Sequence, residues 1–113
     1  MRLITLVSAA ALALAALSPA ASAAARPTLA DCAGKPQVRP KQIILACADA
    51  GDVLHKLKWT SWSGRTARAT GVESVNTCEP NCAAGHFVTH RVKVTLRGDG
   101  KRFTRIYVNG KRR

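Results

Sequence analysis

Acidic side chains are scarce in this chain: six Asp and Glu stand against eighteen Lys and Arg in 113 residues, a formal charge of +12. So few carboxylates exclude an acidic ion-binding protein. Asp49 and Asp52 flank Gly51, yet two carboxylates fall well short of the about six to eight oxygen ligands of a calcium loop and read as turn chemistry. Aromatic rings are equally few, two Trp, two Phe and one Tyr, so a core must come mainly from Val, Ile, Leu and Ala. Beyond the N-terminal segment no stretch repeats its apolar residues every 3.6 positions, which excludes a helical bundle and a cationic helix lying on a membrane. No nucleophile motif such as G-x-S-x-G occurs. The expectation is therefore a protein that is not an enzyme, with no cofactor and no metal site.

What is present begins at the N-terminus. One charge at Arg2, an uncharged apolar run from Leu3 to Leu17, Pro19 and the triplet Ala21-Ser22-Ala23 read as a secretory signal peptide over residues 1–23. The working protein then starts near Ala24, outside the cytoplasm, and has no transmembrane segment after cleavage. The span to Ala25 is long enough to be an uncleaved anchor, but Pro19 and the cleavage triplet favour removal. Leu29-Ala30-Asp31-Cys32 fails as a lipidation box because Asp31 is charged and Arg26 and Pro27 interrupt the apolar run.

Four cysteines, Cys32, Cys47, Cys78 and Cys82, fit a small secreted domain that needs covalent support. Of the three possible pairings we favour Cys32 with Cys47 and Cys78 with Cys82. Pro80 and Asn81 supply the turn that would bring the second pair together. Zinc is disfavoured by the long gap between Cys47 and Cys78. His86 and His90 would lie about 13 Å apart on a strand, too far to share one ion, and His55 stands alone.

The chain after the signal reads as an extended arm, residues 24–40, holding Pro27, Pro36 and Pro40, followed by one β domain, residues 41–113. Ile43 to Cys47 is a short apolar run of strand length. In Val53 to Trp59 the alternation puts Val53, His55, Leu57 and Trp59 on one face and Leu54, Lys56 and Lys58 on the other. A loop is expected from Ser61 through Trp62 to Gly64. Thr66 to Val75 is a further strand with Gly71 as a candidate bulge. The clearest strand is Phe87 to Arg97, with Val88, His90, Val92, Val94 and Leu96 apolar-side and Arg91, Lys93, Thr95 and Arg97 polar-side. Arg102 to Val108 returns as its hairpin partner. The expected fold is all-β, a small disulfide-stabilised β-sandwich or open barrel of about five to six antiparallel strands.

That hairpin carries the candidate site. With Gly98-Asp99-Gly100 as its loop, Arg97 opposes Lys101 and Lys93 opposes Arg105, and one face collects Arg91, Lys93, Arg97, Lys101, Phe103, Arg105 and Tyr107. Like charges placed opposite one another destabilise a sheet by about 0.2–1 kcal/mol, so a face that tolerates them is a candidate for holding an anion. A plain solvated face is the competing explanation. Trp62, in its Ser/Gly loop, is a second candidate contact, able to stack on a sugar if exposed.

The strings Pro40-Lys41-Gln42-Ile43-Ile44-Leu45-Ala46-Cys47-Ala48-Asp49-Ala50-Gly51, Trp59-x-x-Trp62 and Cys78-Glu79-Pro80-Asn81-Cys82-Ala83-Ala84-Gly85 resemble a family of small secreted actinobacterial proteins. The resemblance spans about Cys32 to Tyr107 and implies secretion but no particular activity or ligand. The basic end, Asn109 to Arg113, stands where the resemblance would lead one to expect an apolar strand end.

Two functions remain open at this point. One is a noncatalytic binding module whose basic hairpin face and Lys111-Arg112-Arg113 tail hold an anionic envelope polymer or acidic surface. Nucleic acid would use the same residues but is disfavoured by secretion. The other is a structural or protein-interaction domain with incidental charge and a protein partner. A secreted enzyme or inhibitor is a third, more remote reading.

Overall fold

A computed structural model of the chain describes residues 26–113; the expected signal peptide, residues 1–23, lies outside the described residues. The fold is all-β. Its strands are β1 (Leu29–Ala30), β2 (Pro36–Gln37), β3 (Ile43–Ile44), β4 (Asp52–Ser63), β5 (Thr66–Asn76), β6 (Phe87–Gly98), β7 (Phe103–Val108) and β8 (Lys111–Arg112). The first two form a separate hairpin. The other six make one curled antiparallel sheet in which every strand lies beside its sequence neighbour.

The curl gives the sheet an inner face, and the inward residues of four strands fill it. Leu54, Leu57 and Trp62 come from β4, Ala67 and Ala69 from β5, Val92, Val94 and Leu96 from β6, and Phe103 and Val108 from β7. Leu29 and Ile43 close it from the N-terminal side. The arm, which its prolines lead one to expect extended, is instead folded into a docked hairpin. Thr28 exchanges backbone hydrogen bonds with the β6–β7 loop: its N–H donates to the Lys101 carbonyl at 3.0 Å and its carbonyl accepts from the Phe103 N–H at 2.8 Å. Both disulfides join the favoured partners, Cys32–Cys47 with Cα atoms 5.6 Å apart and Cys78–Cys82 with Cα atoms 3.7 Å apart.

Two irregularities in β4 overturn the simple alternation expected for it. Between His55 and Lys58 the pairing with β5 slips, so that Lys56 and Leu57 together face Gly71. Lys56 takes a left-handed φ of 52° and turns outward while Leu57 turns inward. The inner set is thus Leu54, Leu57 and Trp59, and Val53 and His55 lie on the other face. The glycine opposite is required: a Cβ on Gly71 would meet Leu57 Cδ2 at 2.7 Å and the His55 carbonyl at 2.9 Å. A second slip between Trp59 and Ser61 sets Trp59 against Ala69 and Trp62 against Ala67. Without it, rings three positions apart would point to opposite faces. The expected Ser61–Gly64 loop is instead the end of β4, and Ile43 to Cys47 shrinks to the two paired residues of β3.

Candidate anion-binding face

The outer face of the sheet is built by the residues that alternate with the core. Cross-strand partners point the same way, so the pairing register reads this face directly, row by row. Lys58 stands beside Thr70 and Thr70 beside Lys93, with the Lys93 N–H donating to Asn109 Oδ1 at 2.9 Å. The next row is His55, Val72 and Arg91. On the other side lie Ser61, Arg68, Thr95, Tyr107 and Arg112, and then Ser63, Thr66, Arg97 and Arg105. No carboxylate occurs in any of these rows.

Lys56, Lys58, Arg91 and Lys93 surround a shallow depression of about 690 Å³ floored by Thr70, Gly71 and Val72 and bounded by Asn109. The bulge at Lys56 supplies one of these cations. A non-glycine residue held in the left-handed region carries a strain of about 1–3 kcal/mol, and here the strained residue lines the depression. Strand geometry places Lys58 and Lys93 about 10 Å apart across Thr70, and Arg91 about 7 Å along from Lys93. An extended chain with several negative groups could touch all three.

Among the described residues, every ion pair involves Glu73 or Asp52, with Arg113 and His90 as their partners. The cations of the outer face are therefore exposed without internal neutralisation. Tyr107 adds a ring, and the Arg97 guanidinium lies 5.6 Å from its centroid, within cation–π range.

Of the eight candidate contacts, Arg91, Lys93, Arg97, Arg105 and Tyr107 share this face, and three do not. Phe103 is 5% exposed and belongs to the core. The hairpin register differs from the expected one: Arg97 pairs with Arg105 and Gly98 with Phe103, with a slip between them that turns Phe103 inward. The like-charged pair is therefore Arg97–Arg105, not Lys93–Arg105. The loop runs from Asp99 to Arg102, so Lys101 sits at its tip and not opposite Arg97. Asp99 Oδ1 accepts the N–H groups of Lys101 and Arg102 at 2.8 and 2.9 Å. Those Arg102 and Lys101 bonds hold the Asp99 carboxyl below the usual carboxylate range.

Trp62, the third, is 6% exposed and cannot stack on a sugar. Its indole N–H donates to the Pro27 carbonyl at 2.8 Å, as that of Trp59 does to Pro40 at 2.7 Å. The rings of Trp59, Trp62 and Phe103 meet edge to face with centroids 4.7 and 4.9 Å apart. The Trp-x-x-Trp pair thus anchors the arm.

The basic tail also divides. Asn109 and Gly110 have φ of 49° and 81°, the positive values of a type I′ hairpin turn, and return the chain as β8. Arg112 reaches the outer face, Lys111 pairs with inward Val108, and Arg113 turns to buried Glu73. Asn-Gly is the strongest short hairpin signal, and it could have revealed β8 from sequence. Arg68 was equally legible, since Ala67 and Ala69 alternate with it.

Comparison of the chain with protein-family models, with curated proteins and with solved structures finds no match in any of the three.

Proposed function

We propose that this is a secreted, noncatalytic binding module whose outer sheet face holds an anionic polymer of the cell envelope. The observation that carries this reading is the continuous run of unpaired cations across β4 to β8, free of any carboxylate. Charges on such a face raise the local concentration of a polyanion, and the depression between Lys58 and Lys93 gives it a place to lie. The N-terminal segment and the two disulfides support an oxidising, extracellular location.

The test is retention of the oxidised protein on isolated envelopes of its own host across a salt gradient. Release by about 0.3 M salt is expected, because exposed charges are then screened within a few ångströms. Replacing Lys58, Arg91 and Lys93 together by Ala should lower the salt at which release occurs and flatten the dependence on salt. The exposed pair Lys101 and Arg102, replaced likewise, should change it little. Retention that survives high salt, or that is indifferent to the triple replacement, would overturn the reading and favour a protein-interaction domain with incidental charge.

A further inference from the structure

The first half of β6 has one partner where the second half has two. β7 begins to pair at Val94, so Phe87 to Val92 is bonded to β5 alone, and no other described strand covers its second edge. Backbone direction along that edge follows from Lys93, whose N–H donates to Asn109 Oδ1 and whose carbonyl accepts from the Asn109 N–H. Strand alternation then aims the N–H and C=O groups of Phe87, Thr89 and Arg91 at the same edge. Phe87 and Val88, 56% and 54% exposed, are the most exposed large apolar side chains of the fold. An edge of this kind, with bare apolar residues, is a template for another strand.

We propose that two copies of this chain pair antiparallel along this edge, about a two-fold axis through Thr89. In this register Thr89 faces Thr89 of the second copy, and each Phe87 faces the other copy's Arg91. All three open positions on each strand are then used, giving six backbone hydrogen bonds. A register centred on His90 would require Phe87 to bond at Lys93, where Asn109 already sits. One centred on Arg91 would set two arginines face to face. The Thr89 register instead lays each guanidinium against a phenyl ring, a favourable contact, and keeps the two arginines about 14 Å apart. Val88 packs beside His90 on the opposite side of the sheet.

The pairing is isologous, and because the axis runs perpendicular to the sheet, both outer faces lie on one side. The proposal does not depend on polymer binding. If both hold, the dimer presents two basic faces to one polymer chain, and avidity follows without a new contact.

The paired segment is short and both copies are basic, so the dimer is weak, and site-directed cross-linking is the fitting test. In the Thr89→Cys variant of the full mature chain, opposed Cα atoms of a hydrogen-bonded pair sit about 5.5 Å apart, within disulfide range. Under mild oxidation without any polyanion, Thr89→Cys is expected to form dimers at least about tenfold faster than Lys101→Cys, an exposed loop control. A 1:1 mixture of Phe87→Cys and Arg91→Cys should give the mixed dimer ahead of either self-dimer. Thr89→Pro removes an N–H that bonds to nothing in the monomer. It should abolish the concentration-dependent sedimentation of the wild-type chain while leaving its circular dichroism unchanged. Equal cross-linking rates at positions 89 and 101, or preferred self-dimers in the mixture, would overturn the proposal whatever the outcome on envelopes.

Discussion

Arg113 Nη2 lies 2.8 and 2.6 Å from the two carboxylate oxygens of Glu73, a residue 1% exposed on the inner face of β5. The same guanidinium stands 3.7 Å from Asp52 on β4, and His90 Nε2 stands 3.1 Å from Glu73. A side chain beyond the last strand thus reaches the first strands of the meander and holds the curl closed. Removing the partner of a buried carboxylate costs about 3–5 kcal/mol when the charge is left uncompensated. Arg113→Met should therefore lower unfolding free energy by about 3 kcal/mol in urea titrations. Adding Glu73→Leu to it should restore most of the loss, since the buried charge is then gone as well.

Asp52 answers differently to pH. Burial, then the neighbouring Glu73, push its carboxyl up to about 6 against the opposing pull of Arg113 and His90. A folded pKa above the unfolded value of 3.8 means that the native state binds more protons between the two values. The Asp52 contribution to stability therefore falls as pH rises from about 4 to about 6 and stays low above that. Asp52→Asn, which keeps the shape and cannot ionise, should raise the melting temperature at pH 7 and remove this slope. The gain should be of order 1 kcal/mol. A slope that persists in the variant would assign it to another group.

Gly98 and Phe103 face each other where the β6–β7 register slips. A Cβ on Gly98 would collide with the Arg102 carbonyl, so Gly98→Ala should force the hairpin end apart, at a cost of about 1–3 kcal/mol. Because Phe103 packs on Trp62, whose N–H holds Pro27, the arm should loosen with it. Hydrogen exchange at the Thr28 and Phe103 amides should accelerate together in this variant, ahead of the β5 amides.

The two disulfides should differ in weight. Cys32–Cys47 spans fifteen residues and Cys78–Cys82 four, and loop closure alone assigns about 3 kcal/mol to the first and about 2 to the second. The first also fixes the segment that carries Leu29 and Ile43 into the core. Replacing Cys32 and Cys47 by Ser should therefore lower the melting temperature more than replacing Cys78 and Cys82.

The long strands were legible because their alternation is nearly unbroken: β5 and β6 pair over eleven positions without a slip. So was most of the basic face, since Arg91, Lys93, Arg97, Arg105 and Tyr107 follow that alternation. The readings failed where the period broke. At Lys56, Thr60 and Thr104 one added residue moves everything beyond it to the other face, and periodicity offers no signal for where that residue falls. The slip at Thr104 turns Phe103 into the core, whereas for Trp62 the Ser/Gly composition around it reads as a loop and hides the end of β4, where the slip at Thr60 turns its ring inward.

By itself the sequence determined that the chain would be all-β, disulfide-linked and basic, because strand period, cysteine number and charge are local or additive properties. Only the tertiary structure decided which cations share a surface with Lys58 and Lys93, that Arg113 turns inward to Glu73, and that half of β6 keeps an open edge. Those outcomes depend on bulges and on closure of the sheet. They arise from contacts between residues far apart in the chain, where burial and pairing outweigh any local preference.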